Sequence, residues 1–362
     1  MSAETDRTKS AERKDVYGVG VVGCGAVWQR HRLAFEHSDR LRCATVFDPD
    51  TDRAREAATR TGARVARNAE EVLTDPEVDI AAILTPVFTH ADQVEIGAAA
   101  GKHFMLEKPM ATTLTDGERI VSAIRRAGVE CFHPTLRALA SDLFAKLREL
   151  TTEDGLLGPV RCAFYHLVGA PVTDSPWMKD REMCFPPAEY DPHVMDTFFA
   201  LTGAACTSVW CHAGRHARHQ FNQDDVTTIV ATFDGGQFLQ TNVNWVVDRT
   251  WCGSTVSFDI ACERGMIRHN WFDAKWFADG QSGSFTSVRR ETQGNRWDHY
   301  HTLIDAIEGG PKCSPNEEDG LRYVRIFDAA LRSSRNGETV CLDAKAAEAE
   351  QTSGRSGDLR HP

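Results

Sequence analysis

The sequence predicts two domains: an α/β domain with a doubly wound parallel sheet, then an α+β domain with a large, mostly antiparallel open sheet. The length of 362 residues exceeds that of one ordinary domain. Short apolar runs first alternate with helix-forming segments, whereas residues 160–290 alternate apolar and polar positions between tight-turn residues. We place the domains at residues 16–135 and 136–345, between a disordered tail at 1–15 and a mobile tail at 346–362.

The first domain contains apolar runs of the length and composition expected for strands buried on both faces. These runs are VYGVGVV, LRCATVF, DIAAILTP, HFMLE and VECF. The segments between them carry good helix formers: WQRHRLAFEH, DRAREAATR, ADQVEIGAAAG and LTDGERIVSAIRRAG. The last two of these segments end at a glycine. Strands that are connected by crossover helices form a parallel sheet.

Two hairpins and a late helix are predicted in the second domain. VTTIVATF and QFLQTNVNWVV flank Asp234-Gly235-Gly236, and TVSFDIAC and MIRHNWF flank Glu263-Arg264-Gly265. Asn316 can cap a helix. The apolar stripe of that helix is Leu321, Val324, Phe327 and Leu331.

Composition excludes several functional classes. The 52 acidic residues outnumber the 41 basic ones and give a net charge of −11, which disfavours binding to nucleic acid or to an anionic membrane. No apolar run is long enough to span a bilayer, and the polar N-terminus lacks the apolar core of a signal peptide. The 11 cysteines are odd in number and contain no CxxC pair, so reduced thiols are expected. We expect a soluble, cytoplasmic protein.

A zinc site is the alternative interpretation of some of these thiols. Its best support is the group Cys211, His212, His216 and His219. The segment begins as a strand, TSVWCHA, which would direct Cys211 and His212 to opposite faces. We favour surface histidines and expect no metal.

A glycine loop follows the first strand. Gly23-Cys24-Gly25 lies where a strand passes into a helix, so its backbone N–H groups can bind a dinucleotide pyrophosphate. A second Gly-x-Gly, Gly18-Val19-Gly20, lies within the strand and lacks this context. The pattern predicts a Rossmann cofactor site. Its loop residues are Gly23, Gly25, Ala26, Val27 and Trp28.

Trp28 departs from the fingerprint, because it occupies the third small position of GxGxxG. A tryptophan cannot allow the close approach of helix to strand that glycine permits. Either the loop is reshaped, or Trp28 packs beside the cofactor.

Asp48 is expected to select the cofactor. It lies 23 residues after Gly25 at the end of the second strand, where a carboxylate accepts hydrogen bonds from the ribose hydroxyls. Its charge would repel a 2′-phosphate, so NAD is predicted in preference to NADP unless Arg53 compensates. The alternative role for Asp48 is an ordinary helix cap in FDPDTDR.

Further motifs carry a family resemblance. Glu107-Lys108-Pro109 ends the fifth strand, VGCGAVWQRH extends to His31, and Thr85-Pro86 and His90 follow the fourth strand. The second domain adds Trp177, Asp180, the run from Glu189 to Asp196 (EYDPHVMD) and the closing segment EEDGLRYVRIFDAALRSSRNGETVCL. Residues 16–343 thereby resemble the Gfo/Idh/MocA family, the glucose-fructose oxidoreductase, inositol dehydrogenase and rhizopine-catabolism group. Glu189-Tyr190-Asp191-Pro192-His193 departs from the family's DxGxH by Glu for Asp and Asp for Gly.

The resemblance implies roles for these residues in a dehydrogenase. Lys108 and His193 would exchange the alcohol proton, with Glu189 holding a substrate hydroxyl or tuning the histidine. The carboxylate of Asp196 lies three residues after His193 and would orient that helix face. Cofactor contacts would come from Thr85, Pro86, His90, Glu107 and Lys108. Substrate contacts would come from Arg137, Trp177 and Asp191.

The acidic group Glu189, Asp191 and Asp196 favours a neutral or cationic polyol as substrate, such as a sugar, aminosugar or cyclitol. Arg137 offers the alternative of an anionic substrate, as in a nucleotide sugar. An enzyme that retains NAD and cleaves or epimerises a sugar without net redox change is a second functional class, and a catalytically silent NAD-binding sensor is a third. The family resemblance also implies a homo-oligomer, a dimer or tetramer, formed through the open face of the second-domain sheet.

Overall fold

The computed structural model describes residues 14–170, 176–181, 183–217, 222–246, 255–288 and 296–342. The predicted tails therefore lie outside the described residues, apart from residues 14 and 15. The chain forms two compact units. The first comprises Met1–Glu107, Glu118–Pro134 and Asn295–Glu317, and the second comprises Lys108–Gly117, Thr135–Gly294 and Glu318–Pro362.

The first half of the chain alternates strands with helices, as predicted. Its elements are β1 Tyr17–Val22, α1 Trp28–His31, α2 Leu33–His37, β2 Leu41–Phe47, α3 Thr51–Thr61, β3 Arg64–Val65, α4 Ala69–Leu73, β4 Ile80–Ile83, α5 His90–Ala99, β5 His103–Leu106, α6 Leu114–Ala127 and β6 Cys131–Phe132. Within the described residues these strands form a six-stranded parallel sheet in the order β3-β2-β1-β4-β5-β6. The doubly wound parallel sheet is confirmed, and β3 is an edge strand that the sequence pattern did not indicate.

The glycines of β1 serve strand packing. All six residues of β1 are buried. A Cβ on Gly18 would lie 1.9 Å from the Glu77 carbonyl oxygen, and one on Gly20 would lie 2.7 Å from Val72 Cγ1. The Gly18-Val19-Gly20 motif therefore belongs to the sheet, as its position within the strand predicted.

The second half of the chain contains α7 Leu136–Leu139, α8 Ser141–Thr151, β7 Val160–Val168, α9 Pro186–Thr202, β8 Cys206–Gly214, β9 Val226–Phe233, β10 Phe238–Asn244, β11 Thr255–Cys262, β12 Met266–Asn270, β13 Asp273–Ala278, β14 Gln281–Thr286, α10 Arg296–Ile307, α11 Glu317–Asn336 and β15 Val340–Cys341. In the described part of the second unit, nine strands form one sheet in the order β14-β13-β12-β11-β7-β10-β9-β8-β15. Only the β7–β10 pair is parallel among the described pairings of this sheet. The mostly antiparallel sheet is confirmed.

Both predicted hairpins form, as β9 with β10 and as β11 with β12. Along β8 the burial alternates, so Cys211 is buried while His212 is exposed, as a strand requires. His219 lies outside the described residues. Within the described ranges, no helix has both the length and the apolar character of a bilayer span.

Helices α8, α9 and α11 contribute to the core of the second unit. Met195 and Phe198 of α9 are almost fully buried together with Leu239 and Ile229 of the sheet. The predicted stripe of α11 is buried at Leu321, Val324 and Phe327, and Leu331 packs against the same core. Helix α9 is thereby fixed on the sheet, and it carries most of the predicted catalytic residues.

Candidate active site

The glycine loop of the first unit has the geometry of a cofactor cradle. Gly23 has a φ of +98°, and its N–H donates to the carbonyl oxygen of Phe47 at 2.8 Å. A Cβ on Gly23 would lie 2.8 Å from the Leu84 carbonyl oxygen, so the backbone requires glycine here. At Gly25, by contrast, a Cβ would meet just one atom within 4 Å among the described residues, Nη1 of Arg53 at 3.9 Å. The space over Gly25 is open to a ligand, and the loop fits a pyrophosphate.

Asp48 connects the end of β2 to this loop. Its Oδ2 accepts a hydrogen bond from the Cys24 N–H at 2.7 Å, and its Oδ1 accepts from the Asp50 N–H at 2.8 Å. The helix cap of α3 is Asp50, whose side chain accepts from the N–H groups of Asp52 and Arg53. The structure thus assigns the cap to Asp50 and places Asp48 at the edge of the loop.

Trp28 begins α1 and is buried, with its ring centroid 5.9 Å from that of Phe35. Helix α1 has four residues, and Arg32 alone separates it from α2. Before it, Ala26 is exposed and Val27 is half-buried in a helical conformation. The large side chain is accommodated by packing against the following short helix.

The loop after β4 contains a hydrogen-bonded group. The Thr85 hydroxyl donates to Oε1 of Gln93 and accepts from the Thr89 hydroxyl, both at 2.8 Å. Nε2 of buried His90 lies 3.0 Å from the Thr85 carbonyl oxygen. Half-buried Pro86 precedes a short 3₁₀ turn, Val87–Thr89. These contacts fix a loop whose Thr85 and Pro86 remain partly accessible.

A buried triad holds the end of β5. His31 Nε2 lies 2.9 Å from Oε1 of Glu107, and His31 Nδ1 lies 3.0 Å from the hydroxyl of Tyr300. All three side chains are almost fully buried. Tyr300, from α10, was not predicted, because 269 residues separate it from His31 and no local pattern marks the contact.

In the second unit, Lys108 meets Glu189. The Lys108 Nζ donates to Oε2 and to the main-chain oxygen of Glu189, each at 2.9 Å. The Lys108 side chain is 16% exposed and that of Glu189 is 8% exposed. An ammonium and a carboxylate are therefore in direct contact in a largely dehydrated but accessible position.

His193 lies one helical turn after Glu189 on α9 and is half-buried. Residues four apart share a helix face, so the two side chains lie on one side of α9. The imidazole makes an edge contact with Trp271, with centroids 5.6 Å apart and planes at 86°. Trp271 was not predicted as a site residue.

Asp191, which was predicted to contact the substrate, faces the sheet of the second unit. The side chain is 0% exposed, and its Oδ2 accepts a 2.5 Å hydrogen bond from the Thr241 hydroxyl. Two residues advance a helix by about 200°, which directs Asp191 away from the side that carries Glu189. Burial raises the pKa of Asp191 to about 8, an effect that the Thr241 hydrogen bond partly offsets. Asp191 is a core residue in this structure and does not line an accessible site.

Arg137 and Asp196 form a buried ion pair. The Nε and Nη2 atoms of Arg137 donate to the two carboxylate oxygens of Asp196 at 2.9 and 2.7 Å. The hydroxyls of Thr135 and Tyr323 donate to the same carboxylate. Burial opposes the charge of Arg137, but the Asp196 carboxylate raises the pKa of this guanidinium above its usual value. The Asp196 carboxylate is therefore held by donors from outside α9, and the guanidinium expected to bind a substrate anion binds a carboxylate of the chain itself.

Trp177 lies in the short 3₁₀ helix Pro176–Lys179, half-buried and packed against the core of the second unit. Among the predicted residues, the structure brings Lys108 into contact with Glu189 and Arg137 into contact with Asp196 in the second unit. In the first unit, it brings Asp48 to the glycine loop and His90 to Thr85.

Comparison with known proteins decides the family. Residues 17–134 match the model of an oxidoreductase family with an NAD-binding Rossmann fold, and residues 144–268 match the Gfo/Idh/MocA C-terminal domain. An inositol 2-dehydrogenase of Saccharopolyspora erythraea is 30% identical over 90% of this chain and 96% of its own. The chain belongs to the Gfo/Idh/MocA family.

Other Gfo/Idh/MocA proteins extend the comparison. The NADP(+)-dependent scyllo-inositol 2-dehydrogenase IolW of Bacillus subtilis is 22% identical, over 92% of this chain and 98% of its own. The WlbA dehydrogenase of Bordetella pertussis, solved with NADH and UDP-GlcNAcA, is 22% identical with a TM-score of 0.76, covering 91% of this chain and 99% of that one. The structural likeness shows the shared fold. This Gfo/Idh/MocA chain is an oxidoreductase with an NAD-binding Rossmann domain, as the motifs predicted.

Proposed function

We propose that this protein is an NAD-dependent dehydrogenase that oxidises a secondary alcohol of a neutral sugar or cyclitol, or reduces the matching ketone. Lys108 is the general acid–base. The observation that carries the proposal is the direct contact of the Lys108 ammonium with the Glu189 carboxylate. The names of the inositol dehydrogenases among its relatives support the substrate class.

Proton transfer follows from the contacts of Lys108. A bound nicotinamide would supply the hydride acceptor or donor for the carbinol carbon, and the alcohol oxygen must then lose or gain a proton. In oxidation, the Lys108 ammonium first passes a proton along its hydrogen bond to Oε2 of Glu189, and the resulting amine accepts the hydroxyl proton. In reduction, the ammonium donates a proton to the carbonyl oxygen, and the resulting amine recovers a proton from solvent. Half-buried His193, on the same face of α9, is placed to exchange the proton with solvent.

The positions of the carboxylates reduce the number of substrate classes that fit the site. Asp191 faces the sheet and Asp196 binds four donors, so only Glu189 remains of the acidic group that favoured a cationic aminosugar. Arg137 is likewise engaged, which weakens the case for an anionic substrate. A neutral polyol fits the remaining groups.

Asp48 supports NAD as the preferred cofactor. Its buried carboxylate at the glycine loop would repel a 2′-phosphate. Arg53 pairs with Asp50 at 3.2 Å, and its Nη1 would lie 3.9 Å from a Cβ on Gly25, so this guanidinium is placed to compensate the charge of a 2′-phosphate. We expect kcat/KM with NAD to exceed that with NADP, and Arg53→Ala to widen the ratio. A wild-type preference for NADP would contradict this assignment.

The decisive experiment combines a substrate panel with a charge-conserving variant. Sugars and cyclitols are incubated with NAD, and reduced nicotinamide is followed by its absorbance. Lys108→Arg retains the cation opposite Glu189 but cannot release a proton at working pH. We expect kcat to fall by about 10²–10⁴-fold in this variant, the usual value of acid–base catalysis, with NAD affinity unchanged. Lys275→Met, on an exposed position of β13, is the matched control.

Each outcome assigns a function. Full activity of Lys108→Arg would overturn the role of Lys108 in proton transfer. Substrate consumption without net NADH would indicate an enzyme that retains NAD, and binding of NAD without any turnover would indicate a sensor.

The open face of the second-unit sheet supports the expected homo-oligomer. Trp210 of β8 and Val168 of β7 are each more than a third exposed, at positions that alternate with buried neighbours. We expect light scattering to report a dimer or tetramer, and Trp210→Asp to lower its mass. A monomeric wild-type protein would contradict this expectation.

A further inference from the structure

One hairpin of the second unit has a bulky residue in a conformation that favours glycine. Strands β12 and β13 pair Asn270 with Asp273, so Trp271 and Phe272 alone form the turn. Trp271 has a φ of +44°. Positive φ is uncommon for any residue with a side chain and is a true outlier for a bulky one. Two-residue hairpin turns of this kind favour Asn-Gly or Asp-Gly.

The next hairpin has residue types that are common at turn positions with positive φ. Between β13 and β14, the turn residues Asp279 and Gly280 have φ values of +46° and +74°. The chain therefore uses favourable turn residues at one hairpin and departs from them at the other. Strain of this kind persists where surrounding contacts fix it, and it concentrates at functional sites.

The Trp271 indole lies between the core of the second unit and His193 of α9. On one side, the indole packs against buried Tyr165 in a T-shaped arrangement, with centroids 6.5 Å apart and planes at 73°. On another, it meets the imidazole of His193 at 5.6 Å. The indole is itself half-buried. It therefore extends the surface that Glu189 and His193 form along one face of α9.

We propose that Trp271 is a specificity-determining residue whose indole stacks on the C–H face of the substrate ring beside His193. The inference rests on the proposed function, because it assumes a polyol at Lys108. The face of an aromatic ring carries negative potential and attracts the positively polarised hydrogens of carbon. A ring with all hydroxyls equatorial presents axial C–H bonds on both faces, whereas an axial hydroxyl interrupts one face.

The test compares scyllo-inositol, which has no axial hydroxyl, with myo-inositol, which has one. In Trp271→Asn, we expect the ratio of kcat/KM for the two epimers to approach 1. We also expect KM for the preferred epimer to rise about 3- to 10-fold, the range that an aromatic contact supplies. Asparagine tolerates positive φ, so the turn still forms. Trp271→Phe retains a ring and should preserve the preference. Asp279→Asn changes the same position of the neighbouring hairpin and should leave both values unchanged.

Several results would overturn the inference. An unchanged epimer preference in Trp271→Asn would do so while leaving the dehydrogenase proposal intact, and so would an equal loss in Trp271→Phe. The same probes are examined by saturation-transfer NMR with the NADH-loaded wild-type protein. If neither cyclitol is turned over and neither receives saturation at its ring C–H protons, the role of Trp271 and a cyclitol substrate are both wrong, whereas turnover of a sugar in the panel would leave the dehydrogenase proposal intact.

Discussion

The carboxylate of Asp196 is the point at which the second unit should be most sensitive to a single substitution. Asp196→Ala removes the acceptor of four donor atoms: two of Arg137 and the hydroxyls of Thr135 and Tyr323. The Arg137 guanidinium would remain in a position where its side chain is 14% exposed. An isolated charge at such a site loses its hydration without receiving a partner in return.

Removing one member of a buried ion pair costs about 3–5 kcal/mol of unfolding free energy. For a domain of this size, each kcal/mol lowers Tm by about 2–4 °C, so the variant should melt roughly 6–20 °C below the wild type. The double variant Arg137→Met with Asp196→Leu removes both charges. It should recover much of the loss, because an apolar pair of similar volume is often as stable as a buried ion pair.

The assays are thermal unfolding for Tm and urea unfolding for the free energy, both monitored by circular dichroism, with each transition fitted separately because two units need not unfold together. Glu263→Ala is the matched control, since the Arg161–Glu263 pair of the same unit is about half exposed. It should cost no more than about 1 kcal/mol. A loss below about 1 kcal/mol in Asp196→Ala would refute the structural role of the pair. If Arg137→Lys instead raised KM for an anionic sugar at unchanged stability, Arg137 would be a substrate ligand.

The remaining predictions concern the first unit and one buried acid. Gly23→Ala should destabilise the protein, because its Cβ would lie 2.8 Å from a backbone atom. Gly25→Ala should leave stability unchanged and lower the affinity for NAD measured by calorimetry. Equal effects of the two variants would contradict the assignment of this loop as the pyrophosphate site. Asp191 has a folded pKa of about 8 against about 3.9 unfolded. Its contribution to stability is therefore complete below about pH 4 and is lost as pH rises to about 8. Asp191→Asn should gain stability relative to wild type across that window, and a pH-independent difference in paired thermal melts would disprove the assignment. Tyr300→Phe removes the hydrogen bond between Tyr300 and His31 in the triad at Glu107. We expect the free energy of unfolding, measured by thermal unfolding, to fall by about 0.5–1.5 kcal/mol while the sheet stays intact. An unchanged free energy of unfolding would show that this bond does not contribute to stability.

Local pattern was sufficient for most of the fold. Buried parallel strands appear as apolar runs and hairpins as alternation around a turn, so both sheets were predicted from short segments. The glycine loop was also predictable, because Gly23 lies at a strand-to-helix junction and the other Gly-x-Gly does not. The motif placed Lys108 and Glu189 in one site, although they are 81 positions apart.

The burial of Asp191 had a signal in the sequence. Asp191 falls on the stripe of Met195 and Phe198, at i, i+4 and i+7, which is the spacing of a core-facing side of a helix. The family motif gives both Glu189 and Asp191 a role in the site, whereas the helical repeat places their side chains on different faces of α9. Trp271 and Tyr300 had no comparable signal, because a strained turn and a contact across 269 residues depend on the assembled fold.

The return of the chain to the first unit determines when that unit can be completed during synthesis. Helix α10 supplies Tyr300, Leu303 and Ile304, all fully buried, and Tyr300 reaches the triad at Glu107. A nascent chain that ends near residue 134 has every strand of the parallel sheet but leaves uncovered the apolar surface that α10 covers. The ribosome must therefore add strands β7–β14, eight of the nine described strands of the second-unit sheet, before the first unit can close. Until then, the exposed surface is a site for chaperone binding or aggregation, so the N-terminal portion is not expected to mature first.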